Sequence, residues 1–282
     1  MTATLDAHHH LWKYDPEAYP WMAGDGLEPL RRDFLAADLK RELDAAGIDG
    51  AVAVQASQAV AETDWLLGIA AENAFIKGVV GWVPLCDTHA AAEALERLTA
   101  NPLLRGIRHI VQDEPDDAFL LRADFNAGIR LLKGCDLVYD ILIFERHLPN
   151  AIRFADAHPG QRFVLDHIAK PRIRDGAVEP WAKNLRELAK REHVSCKLSG
   201  MVTEADPKAW SEAQLQPYFD AALDAFGPGR LMFGSDWPVC VLACDYGRWA
   251  KIVRRQIAKL SASEQAQIMG GTAAAVYGIA LD

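Results

Sequence analysis

The residues with the greatest chemical reach in this chain are histidines, aspartates and single cations placed just behind short apolar runs. His8 and His10 lie two apart at the end of Thr4-Leu5-Asp6-Ala7. On extended chain such residues project to the same side with their backbones ~6.6 Å apart. Both imidazoles can then converge on one divalent ion, while His9 points away. Asp236 follows Leu231-Met232-Phe233-Gly234, a pattern that delivers a carboxylate from a buried strand to its exit, where it can accept a proton from water. The competing role for Asp236 is a cap on the next helix. His167 ends another apolar run beside Asp166, either as a ligand or catalytic group or as a ring held by a local hydrogen bond.

Arg108 and His109 adjoin on a further run, so only one of them can face inward, and alternation does not say which. Lys170 is either a pocket cation or half of a solvated salt bridge. Trp12, Trp82 and Trp237 stand near strand exits, where they serve as core or as flat apolar walls for a sugar ring.

Positioning such groups at one place requires a repeated strand-exit geometry, and the chain has one. Apolar runs near Thr4–His8, Gly50–Gln55, Lys77–Val83, Gly106–Ile110, Leu137–Leu142, Arg162–His167, Val194–Leu198 and Arg230–Gly234 alternate with segments of helical periodicity. Leu35, Leu39 and Leu43 precede Gly47; Phe125, Ile129 and Leu132 precede Gly134; Leu215, Phe219 and Leu223 precede Gly227. Trp249–Leu260 reads as a helix, and Ser261 with Glu264 as a capping box opening a last one. Eight βα units predict a closed (β/α)8 barrel, a single domain over residues 1–282, whose catalytic groups gather at the C-terminal ends of the strands. A long first loop, Leu11–Arg31, carries Trp12, Tyr14, Tyr19 and Trp21. An open doubly wound sheet is less well supported, because the chain has no G-x-G-x-x-G, P-loop or G-x-S-x-G pattern.

Composition narrows the partners. The 282 residues are 50% apolar and 24% charged, which suits a globular protein with a large core. Thirty Lys and Arg against 39 Asp and Glu give a net charge of −9, with the basic residues dispersed, so neither nucleic acid nor a membrane surface is an expected partner. No apolar run approaches the ~20 residues of a membrane span, and the start lacks a secretory pattern; a cytosolic protein is expected. Five cysteines without C-x-x-C spacing argue for reduced thiols.

Six motifs, in order, resemble a known family: Leu5-Asp6-Ala7-His8-His9-His10-Leu11-Trp12; Tyr19-Pro20-Trp21; Gly106-Ile107-Arg108-His109; Leu165-Asp166-His167-Ile168-Ala169-Lys170-Pro171; Gly234-Ser235-Asp236-Trp237-Pro238; and Ile268-Met269-Gly270-Gly271-Thr272-Ala273. The family is the amidohydrolase superfamily, in its amidohydrolase-2 branch of sugar lactonases. The resemblance implies a barrel hydrolase in which His8, His10 and His167, with Asp236, bind a metal or the substrate carbonyl. Asp236 would be the general base, and Trp12, Trp82, Arg108, His109, Lys170 and Trp237 would surround the substrate. It further implies an aldonolactone substrate, such as L-fuconolactone, L-rhamnonolactone or L-galactonolactone. His9, Ala169 and Thr272 depart from the residues that relatives often carry there, Gln, Gly and Asn. The fifth strand offers Asp140 and no histidine, so one divalent metal at most is expected, zinc first, and some relatives work without any. Metal-dependent decarboxylation of an aromatic acid and non-catalytic sugar binding stand as the rival readings.

Overall fold

The computed structural model describes residues 3–280. Eight strands, β1 (Leu5–His9), β2 (Gly50–Val54), β3 (Ile76–Gly81), β4 (Leu104–Ile110), β5 (Val138–Leu142), β6 (Phe163–Leu165), β7 (Val194–Leu198) and β8 (Leu231–Phe233), pair in sequence order, each parallel to the next. Between β8 and β1 the ring is closed just beyond the strands. His9 bridges to Trp237, the His10 amide donates to the Trp237 carbonyl at 2.7 Å, and the Asp236 amide donates to the His8 carbonyl at 2.8 Å. The (β/α)8 barrel expected from the alternation is the fold observed.

The helices α1 (Ala36–Ala46), α2 (Val60–Glu72), α3 (Thr88–Leu98), α4 (Ala123–Gly134), α5 (Leu148–Ala157), α6 (Trp181–Ala189), the short α7 (Met201–Glu204), α8 (Glu212–Phe226) and α9 (Tyr246–Gln256) follow successive strands, and α10 (Ala262–Ala266) and α11 (Thr272–Tyr277) complete the described helices. Ser261 and Glu264 cap α10 reciprocally, as their spacing predicts. The outward-facing strand residues, among them Ile107, Tyr139, Phe163 and Leu231, form one large core with the helices.

The inward-facing residues build layers. Val52, Val80, Val138, Val164 and Met232 fill the lower barrel with Ala273 and Tyr277 of α11 beneath them. Above this apolar plug the inward residues become charged: Arg108, Asp140, Asp166 and Lys197, all buried. On β5 the period of two is explicit, since Val138 belongs to the plug, Asp140 to the charged layer and Leu142 to the pocket above. Gly270 explains the closing motif, because a β-carbon there would meet the backbone oxygen of Ala3 at 2.4 Å. Only glycine lets the final segment seat against the start of β1.

Candidate active site

Over the charged layer opens a pocket at the C-terminal ends of the strands, where such barrels place their sites. Its floor is made by His10, Arg108, His167 and Asp236, and its walls include Trp21, Ala56, Ile110, Leu142, Val239, Gln112 and Lys170.

The floor is set from beneath by a buried ion network. Lys197 Nζ lies 2.5 Å from Asp140 and 2.9 Å from Asp166, and Arg108 Nη1 lies 3.0 Å from the other oxygen of Asp166. Tyr277 donates to Asp140 at 2.9 Å. Lys197 also approaches His8 Nδ1 at 3.1 Å, and Arg108 approaches His8 Nε2 at 3.2 Å. Burial, then the Lys197 charge, holds His8 well below the ordinary histidine pKa, so its imidazole is neutral. Gln55 fixes the guanidinium of Arg108 through its side-chain and backbone oxygens. Arg108 therefore faces the barrel axis and His109 does not.

Three rings and one carboxylate meet above this network. His8 Nε2 is 3.2 Å from His10 Nε2, and Asp236 Oδ1 is 3.4 Å from His10 Nε2, 3.7 Å from His8 Nε2 and 3.8 Å from His167 Nε2. His10 donates through Nδ1 to the Val54 carbonyl at 2.8 Å, which leaves Nε2 with a lone pair toward the pocket. His167 Nδ1 bonds the Ser199 hydroxyl at 2.8 Å and not Asp166. Burial opposes ionisation of Asp236, yet His167, His10 and Lys170 together hold its carboxyl below the usual carboxylate range. The Asp236 side chain caps no helix, for the 3-10 turn Val239–Leu242 has no side-chain cap.

These donors suit a divalent ion. Tetrahedral zinc with bonds of 2.0–2.1 Å needs ligand atoms roughly 3.3 Å apart, and the His8, His10 and Asp236 atoms lie at 3.2–3.7 Å. A second combination, His8 with Asp166 and His167, also brings its atoms together. Its carboxylate is already neutralised by Lys197 and Arg108, so the upper group is the better cation site.

The local chain conformation needed here is unusual. His167, Ile168, Ala169 and Lys170 all have positive φ, between 46° and 61°, as does Asp236 at 57°. Such backbone is costly for residues with a β-carbon, above all for the branched Ile168. It turns the chain sharply after Leu165, so β6 ends two residues short of the expected His167, and it sends His167 and Lys170 into the pocket.

Four residues expected around the substrate do not line the pocket. Trp12 is fully buried, its indole donating to the Leu30 and Arg32 carbonyls within the cluster of Tyr19, Trp21 and Phe34. Trp237 packs edge-on against Phe34. His109 points outward, stacked on Phe119 and bonded to Glu114 at 2.7 Å, and Trp82 donates to it at 3.3 Å. The aromatic wall is instead Trp21, which the loop Leu11–Arg31 folds back over the strand exits. Of the remaining pocket residues, Gln112 stands out in the sequence as a polar residue just past the fourth apolar run, whereas Ala56, Ile110, Asp113, Leu142 and Val239 carry no distinguishing signal there. Among the described residues, no helix is long and apolar enough to cross a membrane.

Comparison with known proteins agrees with this architecture. A family model described as amidohydrolase matches residues 5–279. The chain is 44% identical, over 98% of its length and 96% of the relative's, to an L-fucono-1,5-lactonase from Burkholderia multivorans (strain ATCC 17616 / 249). It is 38% identical, over 99% and 97% of the two lengths, to an L-fucono-1,5-lactonase from Burkholderia ambifaria. The crystal structure of an amidohydrolase from Burkholderia multivorans with bound Zn superposes with a TM-score of 0.93 at 44% identity, covering 99% of this chain and 100% of that one.

Proposed function

The chain belongs to the amidohydrolase family, and from that premise we propose that it hydrolyses a sugar aldonolactone, with L-fucono-1,5-lactone the first candidate, to the aldonic acid. The observation that carries this reading is the convergence of an ionised, buried Asp236 with His10, His167 and Arg108 on one pocket floor. The names borne by the two Burkholderia relatives support the substrate class. Ile110, Leu142, Val239 and Trp21 offer the apolar face that a deoxy sugar requires, while Gln112, Asp113 and Lys170 offer hydrogen bonds to hydroxyls.

In the mechanism that follows, Asp236 accepts a proton from water as the water oxygen attacks the ring ester carbonyl. Negative charge then develops on the carbonyl oxygen, and the Arg108 guanidinium, held rigidly by Gln55 and Asp166, and Lys170 are the cations at the pocket to oppose it. As the ring C–O bond breaks, Asp236 returns the proton to the departing ring oxygen, giving the free hydroxyl of the aldonic acid. His8, His10 and Asp236 would hold one divalent ion, zinc first among candidates, with His167 beside them at 3.8 Å from Asp236, and the ion would supply further polarisation of the carbonyl.

A panel of aldonolactones assayed by proton release, with and without chelator, tests the proposal. The expected result is turnover with highest kcat/KM on L-fucono-1,5-lactone or a close stereochemical relative. Absence of turnover on every lactone overturns it, and release of carbon dioxide from an aromatic acid would replace it by the decarboxylase reading. Metal content is tested separately: His8→Ala with His10→Ala should abolish bound zinc, and unchanged metal content would reject this ligand set.

A further inference from the structure

Glu62 is a buried carboxylate that the hydrolytic scheme leaves unused. It stands in the first turn of α2 and is only 7% exposed. Every bond it makes runs to a segment that shapes the pocket mouth. One oxygen accepts the backbone N–H groups of Ala56 at 3.0 Å and Ser57 at 2.8 Å, and the other accepts the hydroxyl of Tyr19 at 3.0 Å. Ala56 itself lines the pocket, and its carbonyl accepts the indole N–H of Trp21 at 3.1 Å.

The stretch from Tyr19 to Trp21 is thus fastened to the exit of β2 at two points, one through Glu62 and one directly. On the far side of Trp21, Arg31 bonds the carbonyls of Met22, Ala23 and Gly24. The loop over the pocket is held at both flanks of its single lining aromatic. A buried carboxylate is costly to desolvate, and here that cost is offset only because Glu62 accepts from the Ala56 and Ser57 amides and the Tyr19 hydroxyl. A carboxylate that satisfies three donors from two loops does something an apolar group cannot, which is to fix where those loops sit relative to one another.

We propose that Glu62 is a positioning residue that sets the Trp21 wall and thereby the fit of the lactone ring in the pocket. Its kinetic consequence rests on the lactonase reading; its conformational consequence does not.

The test uses the full chain with Glu62→Ala, Glu62→Gln, Tyr19→Phe, Trp21→Ala and the double variant Glu62→Ala with Trp21→Ala. Glu62→Ala should raise KM about tenfold and change kcat less than about twofold, the split expected when ground-state fit is lost and the reacting groups are intact. Glu62→Gln should restore most of the loss, because its amide oxygen still accepts from Ala56 and Ser57 and its NH2 can donate to the Tyr19 hydroxyl oxygen. In the Trp21→Ala background the Glu62→Ala effect on KM should shrink to less than about twofold, since a residue acting through Trp21 has nothing left to act on.

A second readout needs no substrate. With 5-fluorotryptophan incorporated, the Trp21 fluorine signal, assigned by its loss in Trp21→Ala, should shift or broaden in Glu62→Ala and Tyr19→Phe and return in Glu62→Gln. If no lactone is hydrolysed, this measurement still judges Glu62 by itself. An unmoved Trp21 signal in folded Glu62→Ala, or an undiminished KM effect in the Trp21→Ala background, overturns the proposal. Should Glu62→Ala fail to fold, Tyr19→Phe takes its place in both measurements, and an unmoved Trp21 signal there overturns the proposal equally.

Discussion

Gly200 and His167 pack so closely that a β-carbon on Gly200 would stand 2.7 Å from the imidazole ring. Gly200 also has φ of +65°, a conformation that other residues adopt only with strain. Gly200→Ala therefore meets two penalties at once, and its only escape is to push His167 off the pocket floor. The expected outcome is a loss of about 1–3 kcal/mol in stability together with a fall in kcat of at least about tenfold. Urea denaturation beside a lactone assay measures both; normal kcat in the variant would show that the position of His167 does not matter to turnover.

Asp236→Asn keeps size and polarity and removes the proton acceptor. Turnover should fall roughly a hundredfold or more with the fold retained. The pH profile of the wild type carries a linked expectation. Asp236 is held below the usual carboxylate range, and burial pushes His167 down to about 4. Both stay unprotonated through neutral pH, and activity is lost only as pH falls through these lowered values. A profile that is level from about pH 8 to pH 5 and declines below about pH 4 is expected, whereas an acid limb near pH 6.5 would implicate a different base.

Lys197 lies between two buried carboxylates and pairs with both, Asp140 at 2.5 Å and Asp166 at 2.9 Å. Lys197→Met leaves both without that compensation and should destabilise the protein by about 3–5 kcal/mol. Adding Asp140→Asn removes one of the stranded charges, so the double variant should recover part of the loss. Chemical denaturation of the three proteins settles the point, and a double variant no more stable than the single one would show that the network is not the source of the effect.

Burial pushes Glu62 up to about 7, with the Tyr19 hydroxyl and the more distant Arg108 as the titratable or charged groups facing it. Because the folded value lies above the unfolded one, the folded state favours the protonated form. Wild-type stability from this group is complete below about pH 4.3 and is lost as pH rises through about 7. Glu62→Gln has no such proton to lose. Its melting temperature relative to the wild type should rise between pH 5 and pH 8, by the equivalent of at most about 3 kcal/mol. A difference that stays constant with pH would contradict the raised value.

How far the sequence reveals this arrangement depends on the reach of each signal. Strand cores such as Gly50–Val54 and Ile76–Gly81 announce themselves locally, through Val- and Ile-rich runs between helical periods, and the barrel follows from their number. His8, His10 and Asp236 are visible as polar residues delivered by apolar strands. The early end of β6 is not, because four consecutive residues with positive φ occur without a single glycine to mark them. Nor can Trp21 be told from Trp12: both sit among aromatics, and the fold of the Leu11–Arg31 loop alone decides which one meets the pocket. Asp140 and Lys197 stand out as charges within apolar strands, but their pairing depends on barrel register. Tyr277, which joins them from α11, lies in a helix whose spacing carries no hint of it.

The seam where β8 meets β1 has a temporal meaning. His8 and His10 leave the ribosome with the first strand of the barrel, and Asp236 comes after seven further strands. The backbone bond from the Asp236 amide to the His8 carbonyl forms across that seam. During synthesis the nascent chain carries the histidines long before the carboxylate that completes their set. Under the proposed mechanism, catalytic competence waits for the last strand to arrive, and a chain cut short before that strand lacks the proposed base.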